Sequence, residues 1–73
     1  MRRFPAPWWM REEDDQCFRI HDASGFFICA VSHRQDLHER GYQGADRHMT
    51  REEARRIAKA IARLPDLLQR PPY

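Results

Sequence analysis

Cysteine and histidine side chains are the groups in this chain whose types suit metal binding or thiol chemistry. Cys17, His21 and Cys29 lie close together in the sequence, and His33 or His48 would be available as a fourth ligand. Thiolates and imidazoles bind zinc, but this spacing matches no common zinc pattern. A cysteine paired with a histidine also suits nucleophilic catalysis, which further needs an orienting group and a substrate pocket. In so short a chain we predict no enzyme activity, no catalytic residue, no metal or other cofactor and no small-molecule substrate.

A second set of side chains suits phosphate binding. Its members share one side of a predicted helix and are Arg51, Arg55, Arg56, Lys59 and Arg63. Glu52 lies among them, and residues 12–15 are four consecutive carboxylates elsewhere in the chain. Three interpretations stay open: a solvated face, internal ion pairs with the acidic block, or a site for an external anion such as nucleic-acid phosphate. The formal net charge of +2 argues against a dedicated nucleic-acid binder.

The helix that carries these basic residues is predicted over residues 50–68. Thr50 and Glu53 have the spacing of a capping box, so the helix should begin at Arg51. Pro65 predicts a break near Leu64, with residues 66–68 as a last turn or a short second helix. The predicted buried stripe consists of Ala54, Ile57, Ala58, Ile61, Leu64 and Leu68.

Residues 17–32 predict a β-hairpin, because two runs of aromatic and β-branched residues flank a turn at residues 22–25. Gly25 is placed as the left-handed residue of a three-residue loop. The resulting register sets one face beneath the helix: Phe18, Ile20, Phe26, Ile28 and Ala30. The opposite face then contains Cys17, Arg19, His21, Phe27, Cys29 and Val31. Residues 8–11 predict a third antiparallel strand, with the acidic block as its turn.

The second face of this hairpin is mixed rather than polar. Phe27 and Val31 would be exposed on it, and exposed apolar residues there indicate a covering segment or a partner. We therefore predict that Phe27, Val31 and Trp9 bind a protein partner or a second copy of the chain. Cys17 and Cys29 are predicted to be diagonal neighbours on this face and to remain reduced. The basic and aromatic segment over residues 2–9 is interpreted mainly as core, through its tryptophans.

Segments at residues 5–8, 22–25, 50–58 and 61–68 carry a resemblance to other proteins. The chain resembles a group of short hypothetical proteins of rhizobia and related alphaproteobacteria. It is more loosely similar to small phage-encoded proteins of unknown function. The resemblance implies the same fold, and it implies no activity and no site residues.

These patterns together predict one small α+β domain of 73 residues. We expect an N-terminal arm over residues 1–7, an antiparallel β-meander of two or three strands over 8–32, a polar loop over 33–49, an amphipathic helix over 50–68 and a tail over 69–73. No apolar run suits a signal peptide or a membrane span, so we expect a cytoplasmic protein with no membrane partner. A core this small favours a homo-oligomer. The predicted function is a non-enzymatic protein-interaction or regulatory module; the alternative is a nucleic-acid-binding accessory protein that uses the basic face of the helix.

Overall fold

The α+β prediction is confirmed by the computed structural model, which describes residues 4–68. A three-stranded antiparallel sheet of order β1-β2-β3 packs on the longest helix. The elements are β1 (Trp9–Glu13), β2 (Cys17–His21), β3 (Phe27–Ser32), α1 (Gln35–Glu39), a 3-10 turn (Ala45–Arg47), α2 (Arg51–Ala62) and α3 (Leu64–Leu68). Arg2, Arg3, the side chain of Leu68 and the tail over residues 69–73 lie outside the described part.

Helix α2 begins where the capping box predicts. The Thr50 hydroxyl accepts a hydrogen bond from the Glu53 amide at 3.1 Å, and the Glu53 carboxylate accepts one from the Thr50 amide at 2.8 Å. The predicted break is confirmed as well, since α2 ends at Ala62 and α3 follows it. Pro65 in the first turn of α3 explains this, because proline cannot donate the hydrogen bond that would continue α2.

The buried side of α2 is narrower than the sequence predicts. Ala54 and Ala58 are fully buried against Phe18 and Ile20 of the sheet. Ile57 is 46% exposed, so its predicted burial is wrong. Two alanines let the helix approach the sheet closely along a single line, and a sheet of three short strands is too narrow to cover the flank on which Ile57 lies.

The register between β2 and β3 differs from the predicted one by a β-bulge. The three-residue loop is present, with Gly25 at a φ of 94°. The Asp22 amide donates to the Phe26 carbonyl at 3.0 Å, and His21 pairs with Phe27 as predicted. Ile20 then pairs with Cys29, which leaves Ile28 as the extra residue. An extra residue shifts every later position of the strand to the opposite face.

This shift reverses the faces of the second half of β3. Val31 pairs with Phe18 and is only 7% exposed, so its predicted place on the partner-binding face is wrong. Ala30, predicted beneath the helix, is exposed on the other side. Cys29 lies on the helix face and Cys17 on the opposite one, so their predicted shared face is also wrong. Both cysteines are free thiols.

Two further predictions near the hairpins are corrected. Phe26, predicted beneath the helix, is 42% exposed and packs on Phe4 with ring centroids 5.3 Å apart. The strand β1 continues through Glu12 and Glu13, so only part of the acidic block forms the turn. The turn itself places Asp14 and Asp15 at φ of 56° and 53°, a region that aspartate adopts more readily than most residues.

The connection over residues 33–49 contains α1 and the 3-10 turn. Its ends meet where the Arg34 amide donates to the Met49 carbonyl at 2.9 Å, which brings the chain from β3 to the start of α2. Leu37 of α1 is half-buried. Within residues 4–68, every helix is too short or too polar to span a bilayer.

Candidate functional site: the outer face of the sheet

The two faces of the sheet are covered unequally. Helix α2 packs on the inner face, whose core is Phe18, Ile20 and Val31 together with Ala54 and Ala58 of the helix. We call the opposite side the outer face. From the strand pairing its residues are Trp9, Arg11 and Glu13 of β1, Cys17, Arg19 and His21 of β2, and Phe27, Ala30 and Ser32 of β3.

One row across the outer face is aromatic. Trp9 pairs with His21 across β1 and β2, and His21 pairs with Phe27 across β2 and β3. The rings of Trp9 and His21 are stacked, with centroids 4.5 Å apart and an interplanar angle of 17°. The rings of His21 and Phe27 are tilted at 60° with centroids 5.8 Å apart. We call these three residues the aromatic row.

Trp9 and Phe27, at the two ends of the aromatic row, are held in place by neighbouring groups and are still accessible. The Trp9 indole N–H donates to the Asp22 carbonyl at 3.0 Å. Trp9 is 40% exposed and Phe27 is 43% exposed, while His21 between them is buried. A rigid exposed aromatic side chain gives a partner a large contact area at low cost in conformational entropy.

Arginine side chains border the aromatic row. The Arg19 guanidinium carbon lies 4.4 Å from the centroid of the Phe27 ring, a cation–π geometry. Arg19 Nη1 also donates to Glu13 Oε2 at 3.0 Å, and this hydrogen bond is the largest cause that lowers the pKa of Glu13 below its usual value. Arg11 contacts the same carboxylate at 3.5 Å and is more exposed than Arg19. The outer face therefore combines tryptophan, phenylalanine and arginine, the side-chain types enriched in binding hot spots.

The structure brings together two of the three predicted partner-binding residues. Trp9 and Phe27 lie at the two ends of the aromatic row, whereas Val31 is in the core. The sequence reasoning gave no role to Arg19 and His21 as supports of this surface. Trp9 lies beside His21 only because of the register between β1 and β2. That register depends on where the acidic turn begins, which the sequence does not mark.

The predicted phosphate-binding residues are partly occupied by internal carboxylates. Arg51 Nε and Nη2 donate to the two Glu12 carboxylate oxygens at 2.6 and 2.7 Å, and these bonds are the largest cause that lowers the pKa of Glu12. Arg55 and Arg56 both contact Glu52, at 3.5 and 3.3 Å. Lys59 and Arg63 are exposed further along the same helix. One of the three open interpretations, pairing with the acidic block, thus holds for Arg51.

A cleft of about 280 Å³ lies between the β1–β2 turn, α1 and the start of α2. Its lining is polar: Asp15, His33, Gln35, Asp36, Glu39 and Arg51. Arg34 holds Asp36 in a two-bond ion pair that lowers its pKa to about 2, and Arg51 is held by Glu12. The described residues contain no group of three or more His, Cys, Asp or Glu side chains placed to hold a metal ion. Cys29 lies on the opposite face from Cys17 and His21, which separates that candidate ligand set.

Comparison with family models, with curated proteins and with solved structures gives no match to this chain. Within residues 4–68, the fold is a small α+β domain in which a helix covers one face of the sheet and leaves the other face without a covering element.

Proposed function

We propose that the chain is a small non-enzymatic protein-binding module that binds its partner through the outer face of the sheet. The observation that carries this proposal is the aromatic row, which presents two large side chains at about two-fifths exposure on a rigid sheet. Apolar side chains that are exposed close together and bordered by polar residues are typical of protein-interaction sites.

The chemistry of the outer face specifies what the partner presents. Apolar side chains of a partner, proline included, suit the exposed parts of the Trp9 and Phe27 rings. The Arg11 guanidinium beside them is more than half exposed and suits a carboxylate or carbonyl acceptor of the partner. Because Glu13 already pairs with Arg19, the polar part of the face is fixed before a partner arrives.

Covalent capture in the native host tests this proposal. A photoreactive phenylalanine analogue in place of Phe27 should give a discrete adduct with a heterologous protein, and the same analogue in place of the exposed Tyr42 should not. Truncation supplies the quantitative readout: Phe27→Ala should weaken binding of the captured partner roughly 10- to 100-fold, and Tyr42→Ala should leave it unchanged. Equal adducts at both positions, or unchanged affinity after Phe27→Ala, would overturn the proposal.

The alternative, a nucleic-acid-binding accessory protein, uses the basic face of α2. Five free phosphate contacts on duplex DNA would give a log–log salt slope of about −4.5, whereas Lys59 and Arg63 alone would give about −1.8. Because Glu12 and Glu52 hold the other three cations, we expect anisotropy with duplex DNA and RNA to show a slope no steeper than about −2. A steep slope that collapses on Arg55→Glu, while the exposed control Arg47→Glu keeps it, would favour the alternative.

A further inference from the structure

The two edges of the sheet differ in charge. Edge strand β1 contains Arg11, Glu12 and Glu13. Edge strand β3 has the sequence FICAVS and contains no charged residue. Charged residues on an edge strand oppose its pairing with another strand, while an uncharged edge is a template for such pairing. Charge therefore protects β1, whereas β3 has the bulge at Ile28 and an uncharged, regular segment over residues 29–32.

The two flanks of α2 also differ in charge. Arg51 is bound to Glu12, so the flank that carries Arg51 and Arg55 lies toward β1. Ile57 lies about 120° around the helix axis from Arg51, on the other side of the buried alanines. It is therefore on the flank toward β3, half-exposed, with the exposed Ala60 beside it. An uncharged strand edge and a helix flank that exposes Ile57 and Ala60 thus lie on the same side of the molecule, with the capping residue Glu53 one turn before Ile57.

We propose that a second copy of this chain binds this surface. Residues 29–32 of β3, beyond the bulge, pair antiparallel with the same residues of the copy across a two-fold axis, which gives a continuous six-stranded sheet. Both α2 helices then lie on the same side of that sheet, and the Ile57 flank of one faces the Ile57 flank of the other. Two-fold symmetry is the commonest arrangement for homodimers, and it requires a self-complementary surface.

The distribution of charge along the surface fits a copy of the chain as the occupant. Each chain carries a formal net charge of +2, so two chains must meet away from their cations. The antiparallel arrangement places the Arg51 and Arg55 flanks at the two far ends of the dimer, and an uncharged strand meets itself without a like-charge pair. A lone peptide strand would pair with β3 but would offer no helix to cover Ile57.

The dimer would also place two aromatic rows on one outer face. A partner with two matching segments would then bind both sites, and its second contact would be intramolecular. This consequence adds to the proposed function, but the dimer does not depend on it, because Trp9 lies on β1 and Phe27 precedes the bulge, outside the paired residues 29–32.

Sedimentation equilibrium over about 1 to 200 µM tests the proposal. We expect a mass of twice 8.8 kDa at the upper concentrations. Ala30→Lys on β3 and Ile57→Glu on α2 should each raise the dimer dissociation constant at least tenfold while circular dichroism stays unchanged, since both positions are exposed in the single chain. Gln43→Lys and Gln43→Glu make the same two charge changes at an exposed position outside the surface and should have no effect.

Three results would overturn the proposal. A single-chain mass throughout the series would show that no copy binds. A dimer unaffected by Ala30→Lys and Ile57→Glu would show that copies associate through another surface, and its loss on Phe27→Ala would identify that surface as the outer face. Because the proposed function is measured by capture of a different protein at position 27, its failure is separable from failure of the dimer.

Discussion

Replacing Ile20 by alanine is expected to destabilise the fold strongly. Ile20 is fully buried at the centre of β2, where it packs beneath Ala54 and Ala58. Truncation of a buried isoleucine costs about 2–5 kcal/mol, through lost burial and the cavity left behind. A domain of 73 residues has a total free energy of unfolding of about 4–11 kcal/mol. One substitution therefore removes a large part of the whole stability.

Urea denaturation followed by circular dichroism measures this loss of free energy. In a thermal melt of the same variant we expect the melting temperature to fall by more than about 10 °C. Leu67→Ala is the matched control, since it removes a similar volume from a side chain that is 54% exposed, and it should cost less than about 0.5 kcal/mol. Equal losses for the two variants would contradict the position of the core described above.

The α+β architecture was predictable because its signals are local. The spacing of Thr50 and Glu53 sets the start of α2, and Pro65 sets its end. Gly25 marks the β2–β3 loop because its backbone adopts a positive φ there. Each of these features depends on a few neighbouring residues, which a single sequence contains in full.

The register of β3 was not predictable in the same way. Nothing in the local sequence marks Ile28 as the extra residue, because Ile28 is a good strand residue by type. The bulge follows from long-range packing: it places Val31 beside Phe18, where alternation without a bulge would have placed the smaller Ala30. A larger side chain in the core is favoured by burial, and this gain depends on α2, which is distant in the sequence.

The candidate site was likewise predictable only in part. Trp9 and Phe27 could be named from exposure arguments, but the row that joins them through His21 depends on two strand registers. The bulge leaves this row intact because it lies after the pairing of His21 with Phe27. The predicted face of β3 is therefore correct for Phe27, which precedes the bulge, and wrong for Val31, which follows it.

Replacing Asp22 by alanine is expected to disrupt the loop that supports the aromatic row. Its Oδ1 accepts three hydrogen bonds: from the Ser24 amide at 2.8 Å, the Ser24 hydroxyl at 2.6 Å and the Phe26 amide at 2.9 Å. The residue is only 2% exposed, and the alanine variant removes the one carboxylate oxygen that accepts all three of these hydrogen bonds. We expect the melting temperature to fall by on the order of 10 °C.

Asp22→Asn separates the charge of this side chain from its shape. Burial raises the pKa of Asp22, but the hydrogen bonds from Ser24, Phe26 and Gly25 together lower it by more. The pKa of Asp22 therefore lies below its usual value of 3.8. A lowered pKa in the folded state stabilises the protein above the unfolded-state pKa of about 3.9, and this stabilisation is lost as the pH falls through the folded-state value. The natural protein should exceed the asparagine variant in stability at pH 6, and the difference should shrink below about pH 4.

Paired urea titrations at about pH 6 and pH 3 check this difference, and the other carboxylates cancel because both proteins contain them. A constant difference at both pH values would show that the charge of Asp22 does not stabilise the loop. The same loop links stability to binding, since the Asp22 carbonyl holds the Trp9 indole and Phe27 follows the loop directly. Asp22→Ala should therefore reduce photochemical capture at position 27 even at temperatures where the sheet is folded, whereas Asp22→Asn should preserve it.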